Sequence, residues 1–152
     1  MTTIRMQLLT ALATRLAGIS GWSVQLRGKD SSADAAVRAV IAYDGEDKEI
    51  ETTQQYMATL QCVVFIIVRE DDVDPVLDDG NIYRYLDRMI AVAEKTIHVP
   101  DSWGLDVPGY DDVHINGHDV GVPSDSTELT ARLSLTFRYR CAFNDPDLVV
   151  PA

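Results

Sequence analysis

The apolar residues of this chain recur in two rhythms, one helical and one alternating. Ile4, Leu8, Leu12, Ala13 and Leu16 fall at helical spacing, with Arg5, Gln7, Thr14 and Arg15 on the other faces. That pattern predicts an amphipathic helix over residues 3–18. Thr2 or Thr3 can cap its start, and Gly18 and Gly21 end it. Ile82, Tyr85, Leu86, Met89, Ala93 and Ile97 form the second helical stripe, over 81–98, with Arg84, Asp87, Arg88, Glu94 and Lys95 on the wet side. Asp78 and Asp79 stand near its N-terminus, where the helix dipole favours negative charge.

The alternating rhythm is clearest over 127–143. Leu129, Ala131, Leu133, Leu135, Phe137, Tyr139, Cys141 and Phe143 point one way, while Glu128, Thr130, Arg132, Ser134, Thr136, Arg138 and Arg140 point the other. One face of this strand packs and one stays polar. A second long strand is predicted over 52–69. Tyr56, Ala58, Leu60, Cys62, Val64, Ile66 and Val68 share a face; the opposite face turns from polar (Gln55, Thr59, Gln61) to apolar (Val63, Phe65, Ile67). Its second half is therefore expected to be central and covered on both sides, and its polar first half to project beyond the core. Shorter strands are read at 22–26 and 37–43. Residues 27–35 read as a polar loop, 44–51 as an acidic turn around Gly45, and 70–80 as an acidic loop. Residues 99–110 are irregular, with Pro100, Gly104, Pro108 and Gly109. Residues 112–122 read as a weak strand or a hairpin, and 144–152 as a loose tail.

These elements predict a single α+β domain over residues 1–152. Its expected architecture is a sheet of about four strands, mostly antiparallel, with two main helices packed on its apolar face. Two strands near fifteen residues are long beside the usual five or six. Such strands reach past a small core and offer edges for self-association.

Composition narrows the function. The longest apolar run, Cys62 to Val68, has strand length, far short of the roughly 18 residues of a membrane span. The N-terminal residues lack the basic flank, apolar core and cleavage site of a signal peptide, so synthesis in the cytoplasm is expected. Cys62 and Cys141 sit inside apolar strand patterns and read as small core residues. The formal net charge is −11. Residues 1–43 carry +3 of it and residues 44–152 carry −14. An acidic surface repels phosphate, which argues against tight nucleic-acid binding. It leaves room for a head-to-tail contact between a basic and an acidic part.

Candidate chemistry is sparse. His114 and His118, with Asp111, Asp112 and Asp119, form the most ligand-like cluster. On one strand, positions four apart share a face but lie about 13 Å apart, so only a turn at Asn116-Gly117 would bring the two imidazoles to one metal. A small metal-dependent hydrolase built on Asp111, His114, His118 and Asp119 is the rival from the enzyme class. The acidic loop from Asp71 to Asp79 lacks the sixth-position glycine and twelfth-position glutamate of a calcium-binding EF-hand loop. His98 ends a helix, where a cation is favoured. No Gly-rich phosphate loop or Gly-x-Ser-x-Gly motif occurs. No catalytic, cofactor or metal residue is assigned. The one pairing that charge suggests is between copies. Arg132, Arg138 and Arg140 crowd a strand face that repels itself unless anions are near. Asp71, Asp72 and Asp74 belong to the densest run of anions.

The order of elements carries a resemblance. An N-terminal helix ends in Gly18-Ile19-Ser20-Gly21-Trp22, and two short strands flank a polar loop. The long strand holds Gln54-Gln55-Tyr56-Met57-Ala58-Thr59-Leu60-Gln61-Cys62-Val63-Val64. An acidic loop leads to a helix with Ile82, Tyr85, Leu86, Met89 and Ile90, and the last strand runs through 130–139. Over residues 3–143 this resembles the tail terminator proteins of long-tailed bacteriophages, the family of the lambda tail terminator. The resemblance implies a non-enzymatic α+β subunit of the virion, without cofactors, forming a homohexameric ring. That ring caps the head-proximal end of the tail tube, ends tube polymerisation and offers a docking surface to the head–tail connector. Its partners would be its own copies, the tube protein and the connector, with DNA passing through the lumen without specific binding and no membrane involved. Another neck or tail-completion component is the nearer alternative.

Overall fold

The computed structural model describes residues 3–26, 35–51, 55–98, 103, 107, 109–121 and 127–142. The loop expected at 27–34, most of the irregular segment around Pro100, Gly104 and Pro108, and the tail at 144–152 lie outside the described residues.

Helix α1 spans Ile4–Ala17 and α2 spans Ile82–Ile97, close to the expected bounds. The Thr3 hydroxyl accepts from the Met6 amide at 3.3 Å, and the Asn81 side chain accepts from the Tyr83 and Arg84 amides at 2.9 and 3.4 Å. Both caps satisfy donors that a helix start leaves without an internal partner. Leu8, Leu12 and Leu16 of α1 and Leu86, Met89, Ala93 and Ile97 of α2 are buried, as their spacing requires.

The strands are β1 (Trp22–Leu26), β2 (Val37–Ile50), β3 (Gln55–Arg69), β4 (Tyr110–Gly121) and β5 (Glu128–Ala142). They form a five-stranded mixed sheet in the order β1-β2-β3-β5-β4. This corrects the expected four-stranded, mostly antiparallel sheet. β1 runs parallel to β2, with Trp22 opposite Val37 and Leu26 opposite Ile41; the other three pairings are antiparallel. Alternation along a strand records which face is buried but not the direction of its neighbour.

Two further readings are corrected. Residues 44–50 are the outer half of β2, not a turn. A bulge between Tyr43 and Gly45 inserts one extra residue, and pairing with β3 then continues to Ile50 opposite Tyr56. Gly45 supplies a φ of 150°, which L side chains rarely adopt. Of the two readings of 112–122 the structure has the strand, β4, with a bulge between Ile115 and Gly117. The first half of β3 also does not leave the core, since Ala58 and Leu60 are fully buried and Gln55 is nearly so.

The core lies between the two helices and one face of the sheet. Ile41, Leu60, Val64, Ile66, Leu133, Leu135, Phe137 and Tyr139 line the sheet side. Trp103 joins them, its indole N–H donating to the Ile97 carbonyl at 2.9 Å and its ring stacked on Tyr110 and edge-on to Phe137. Cys62 and Cys141 are both buried and free. The opposite face of the sheet has no helix on it among the described residues.

Candidate functional site

The strict alternation of β5 sends Arg132, Arg138 and Arg140 to that open face. Arg140 is held firmly. Its Nε lies 3.0 and 3.1 Å from the two Glu51 carboxylate oxygens, and its NH1 donates to Asp111 at 3.2 Å. Arg138 and Arg132 are held loosely, 4.0 Å from Asp112 and 3.9 Å from Asp44, with side chains 43% and 50% exposed. Such exposed pairs contribute at most about 1 kcal/mol, so both cations can be recruited by another partner. Arg38 joins the same face and donates to Glu128 at 2.7 Å.

Cross-strand rows show what lies among these cations. Val40 stands opposite Phe65, which stands opposite Arg132; Arg38 stands opposite Ile67, which stands opposite Thr130. Val40, Phe65 and Ile67 are half-buried. The open face therefore carries an apolar strip on β2 and β3, bordered by Arg38 and Arg132.

The acidic segment after β3 is a short 3₁₀ turn, Glu70–Asp72, followed by a tightly bonded loop. Asp78, 1% exposed, accepts from Arg88 of α2 through both oxygens, at 2.8 and 2.9 Å. Those hydrogen bonds hold its carboxyl below the usual carboxylate range, although burial pulls the other way. Asp78 also accepts from the Asp74 amide at 2.9 Å, and Asp74 accepts from the Val76 and Leu77 amides at 2.7 and 2.8 Å. Asp72 pairs with Arg69 at 3.2 Å. Of the three loop carboxylates expected at an interface, Asp72 and Asp74 are thus engaged by their own chain, and Asp71 is exposed. Val76 and Leu77 are turned outward, 85% and 67% exposed.

Within one chain the acidic loop and the far arginines cannot meet. Arg69, at the loop's edge, pairs with Glu128, whereas Arg140 pairs with Met57 near the other end of β3. Twelve strand positions separate Glu128 from Arg140, about 40 Å.

The histidines are separated as well. The bulge at Asn116 places His114 opposite Thr136, on the open face, and His118 opposite Leu133, on the other. His114 lies 3.4 Å from Asp112, while Asp111 is taken by Arg140. Among the described residues no group of three or more His, Cys, Asp or Glu stands close enough to hold a metal ion.

One polar centre was not foreseen. Glu46, its side chain 6% exposed, accepts from Tyr139 Oη and from Arg5 NH1 at 3.2 Å, with Lys48 Nζ 3.7 Å away. Burial, then the bond to Glu46, pushes the Tyr139 hydroxyl pKa well up. The alternation of Glu46, Lys48 and Ile50 was the available signal, hidden because charges stood where apolar residues mark a strand.

No protein-family model matches this chain, and no curated protein matches it by sequence. A chain in the solved structure "Virion of native gene transfer agent (GTA) particle" is similar to it in fold, with a TM-score of 0.50 and 12% identity over 91% of this chain and 92% of that one. At that identity the likeness is one of fold, and it extends over nearly the full length of both chains.

Proposed function

We propose that this chain is a structural subunit of a phage-like virion that assembles with its own copies into a hexameric ring, as a tail terminator at the head-proximal end of the tail tube. The observation that carries the reading is the fold likeness, nearly end to end, to a chain of a gene transfer agent virion. The order of elements, which resembles the tail terminator family, supports the narrower assignment. The ring would end tube polymerisation, dock the head–tail connector and let DNA pass through an acidic lumen without holding it.

The layout of charge supports self-assembly. Any contact between the acidic loop and Arg138 or Arg140 has to be made between copies, because about 33 Å of sheet separates the loop's end from Arg138 and about 40 Å from Arg140 within one. Arg132 and Arg138 are the loosely paired cations that such a contact would recruit, with Asp71 on the loop side and with Asp72 and Asp74 holding the loop's shape. Light scattering coupled to gel filtration should give a mass near six times 16.8 kDa, and micrographs of the purified protein should show rings. A chain that stays monomeric across micromolar concentrations, and also on purified tail tubes, sinks the reading.

A further inference from the structure

The loop between β3 and α2 holds two large apolar side chains in water, and it does so rigidly. Val76 and Leu77 are 85% and 67% exposed, and Tyr83, on the first turn of α2, is 59% exposed. A loop that merely tolerated exposed residues would need no scaffold, yet this one is bonded at nearly every step. Asp74 accepts the Val76 and Leu77 amides, Asp78 accepts the Asp74 amide, and the Gly80 amide returns to the Asp74 carbonyl at 3.4 Å. Asp79 and Gly80 take positive φ angles of 54° and 66°, and Arg88 clamps the buried Asp78 to α2. The result is a preorganised apolar knob flanked by exposed Asp71 and Asp79. Preformed loops give up little conformational entropy on binding.

The open face of the sheet carries the matching surface. Its strip of Val40, Phe65 and Ile67 is apolar where the knob is apolar, and its border carries Arg38 and Arg132, paired with Glu128 and more loosely with Asp44, where the knob's border is anionic. The knob's own exposure shows that it is not seated on its own strip. α2, to which the loop is clamped, packs on the other face of that sheet.

We infer that the Val76–Leu77 knob of one copy seats on the Val40–Phe65–Ile67 strip of the next, with Asp71 and Asp79 facing Arg132 and Arg38. The inference rests on the self-assembly reading above and names its contact. Two different patches on one chain make a heterologous interface, and such an interface closes into a ring when its rotation closes.

The test is the double variant Val76→Ser/Leu77→Ser, measured by sedimentation beside the parent. Its monomer should melt as the parent does, while its self-association weakens at least ~30-fold, the scale of losing an interface anchor. Separately, a Leu77→Cys copy mixed with an Ile67→Cys copy should form a disulfide-linked pair under mild oxidation, and a Lys95→Cys copy in place of Leu77→Cys should not. A parent that assembles while the serine variant assembles equally well overturns this contact and leaves the ring reading standing. A parent that never assembles overturns both. If Phe65→Glu lowers the melting temperature of the monomer but leaves assembly intact, the strip is covered by its own chain, and the inference fails.

Discussion

Phe137 shows what one position carries. It is fully buried, lies edge-on to Trp103 at 5.1 Å between ring centroids, and stands between Leu60 on β3 and Val113 on β4. Phe137→Ala leaves a cavity that three packed elements cannot all close, and should cost about 3–5 kcal/mol. Urea unfolding should show a lower midpoint at unchanged slope. Asp78 carries a different burden. Its folded pKa is depressed, chiefly by the Arg88 hydrogen bonds. Its contribution to stability is therefore fully present above the unfolded carboxylate value near 4, and it is lost as pH falls through the lower folded value. Asp78→Asn should be less stable than the parent at pH 7, and urea unfolding from pH 7 down to about 2.5 should show the gap narrowing. Burial, helped by Asp44, pushes the Cys62 thiol up to about 12. At pH 8 it should resist iodoacetamide in the native protein and react once denatured.

Among the elements, the outer half of β2 depends most on a single tether. Beyond Tyr43 it has no β1 beside it, since that pairing ends at Leu26 opposite Ile41. Ile50 at its end is exposed. Glu46 ties this arm to α1 through Arg5 and to β5 through Tyr139. Glu46→Ala should leave the buried Tyr139 hydroxyl proton without its acceptor and cost about 1–3 kcal/mol. Amide exchange should rise along 46–50 and 56–60 while the paired centre, Val63 to Ile67, stays protected. Equal loss of protection across the whole sheet would mean that Glu46 supports the global fold rather than the arm.

For the whole molecule the governing fact is a net charge of −11 with a basic first third. Copies that meet head to tail bring unlike charges together; copies that meet like to like do not. If Arg132 and Arg138 face the next copy's acidic loop, raising salt from 0.1 to 1 M shortens the Debye length from about 10 Å to about 3 Å and should weaken assembly. The apolar part of the knob contact, Val76 and Leu77 on the strip, gives the opposite limit, since burial of apolar surface is not screened by salt. Arg138→Glu separates the two. It should weaken assembly at 0.1 M salt and matter little at 1 M, as sedimentation velocity can measure.

Some of this was written in the sequence alone. Period-two alternation marked β5 and most of β3, helical spacing marked α1 and α2, and Thr2 or Thr3 marked where the first helix starts, because burial on one side and unpaired amides at a helix start impose these signals on local residues. The outward arginines of β5 were legible for the same reason. What the sequence could not carry was set by partners distant in the chain. The parallel pairing of β1 with β2 and the fifth strand depend on neighbours, and strand periodicity does not encode a neighbour's direction. The outer half of β2 looked like a turn because it carries charge where a strand shows apolar residues, and its Glu46 is satisfied by Arg5 and Tyr139, from a helix and a strand far away in sequence. Asp74 read as an anion for another copy and Asp78 as a charge at a helix start, yet the fold uses both to brace a loop. Only there did Val76 and Leu77, two unremarked residues in an acidic run, become an exposed and rigid apolar pair.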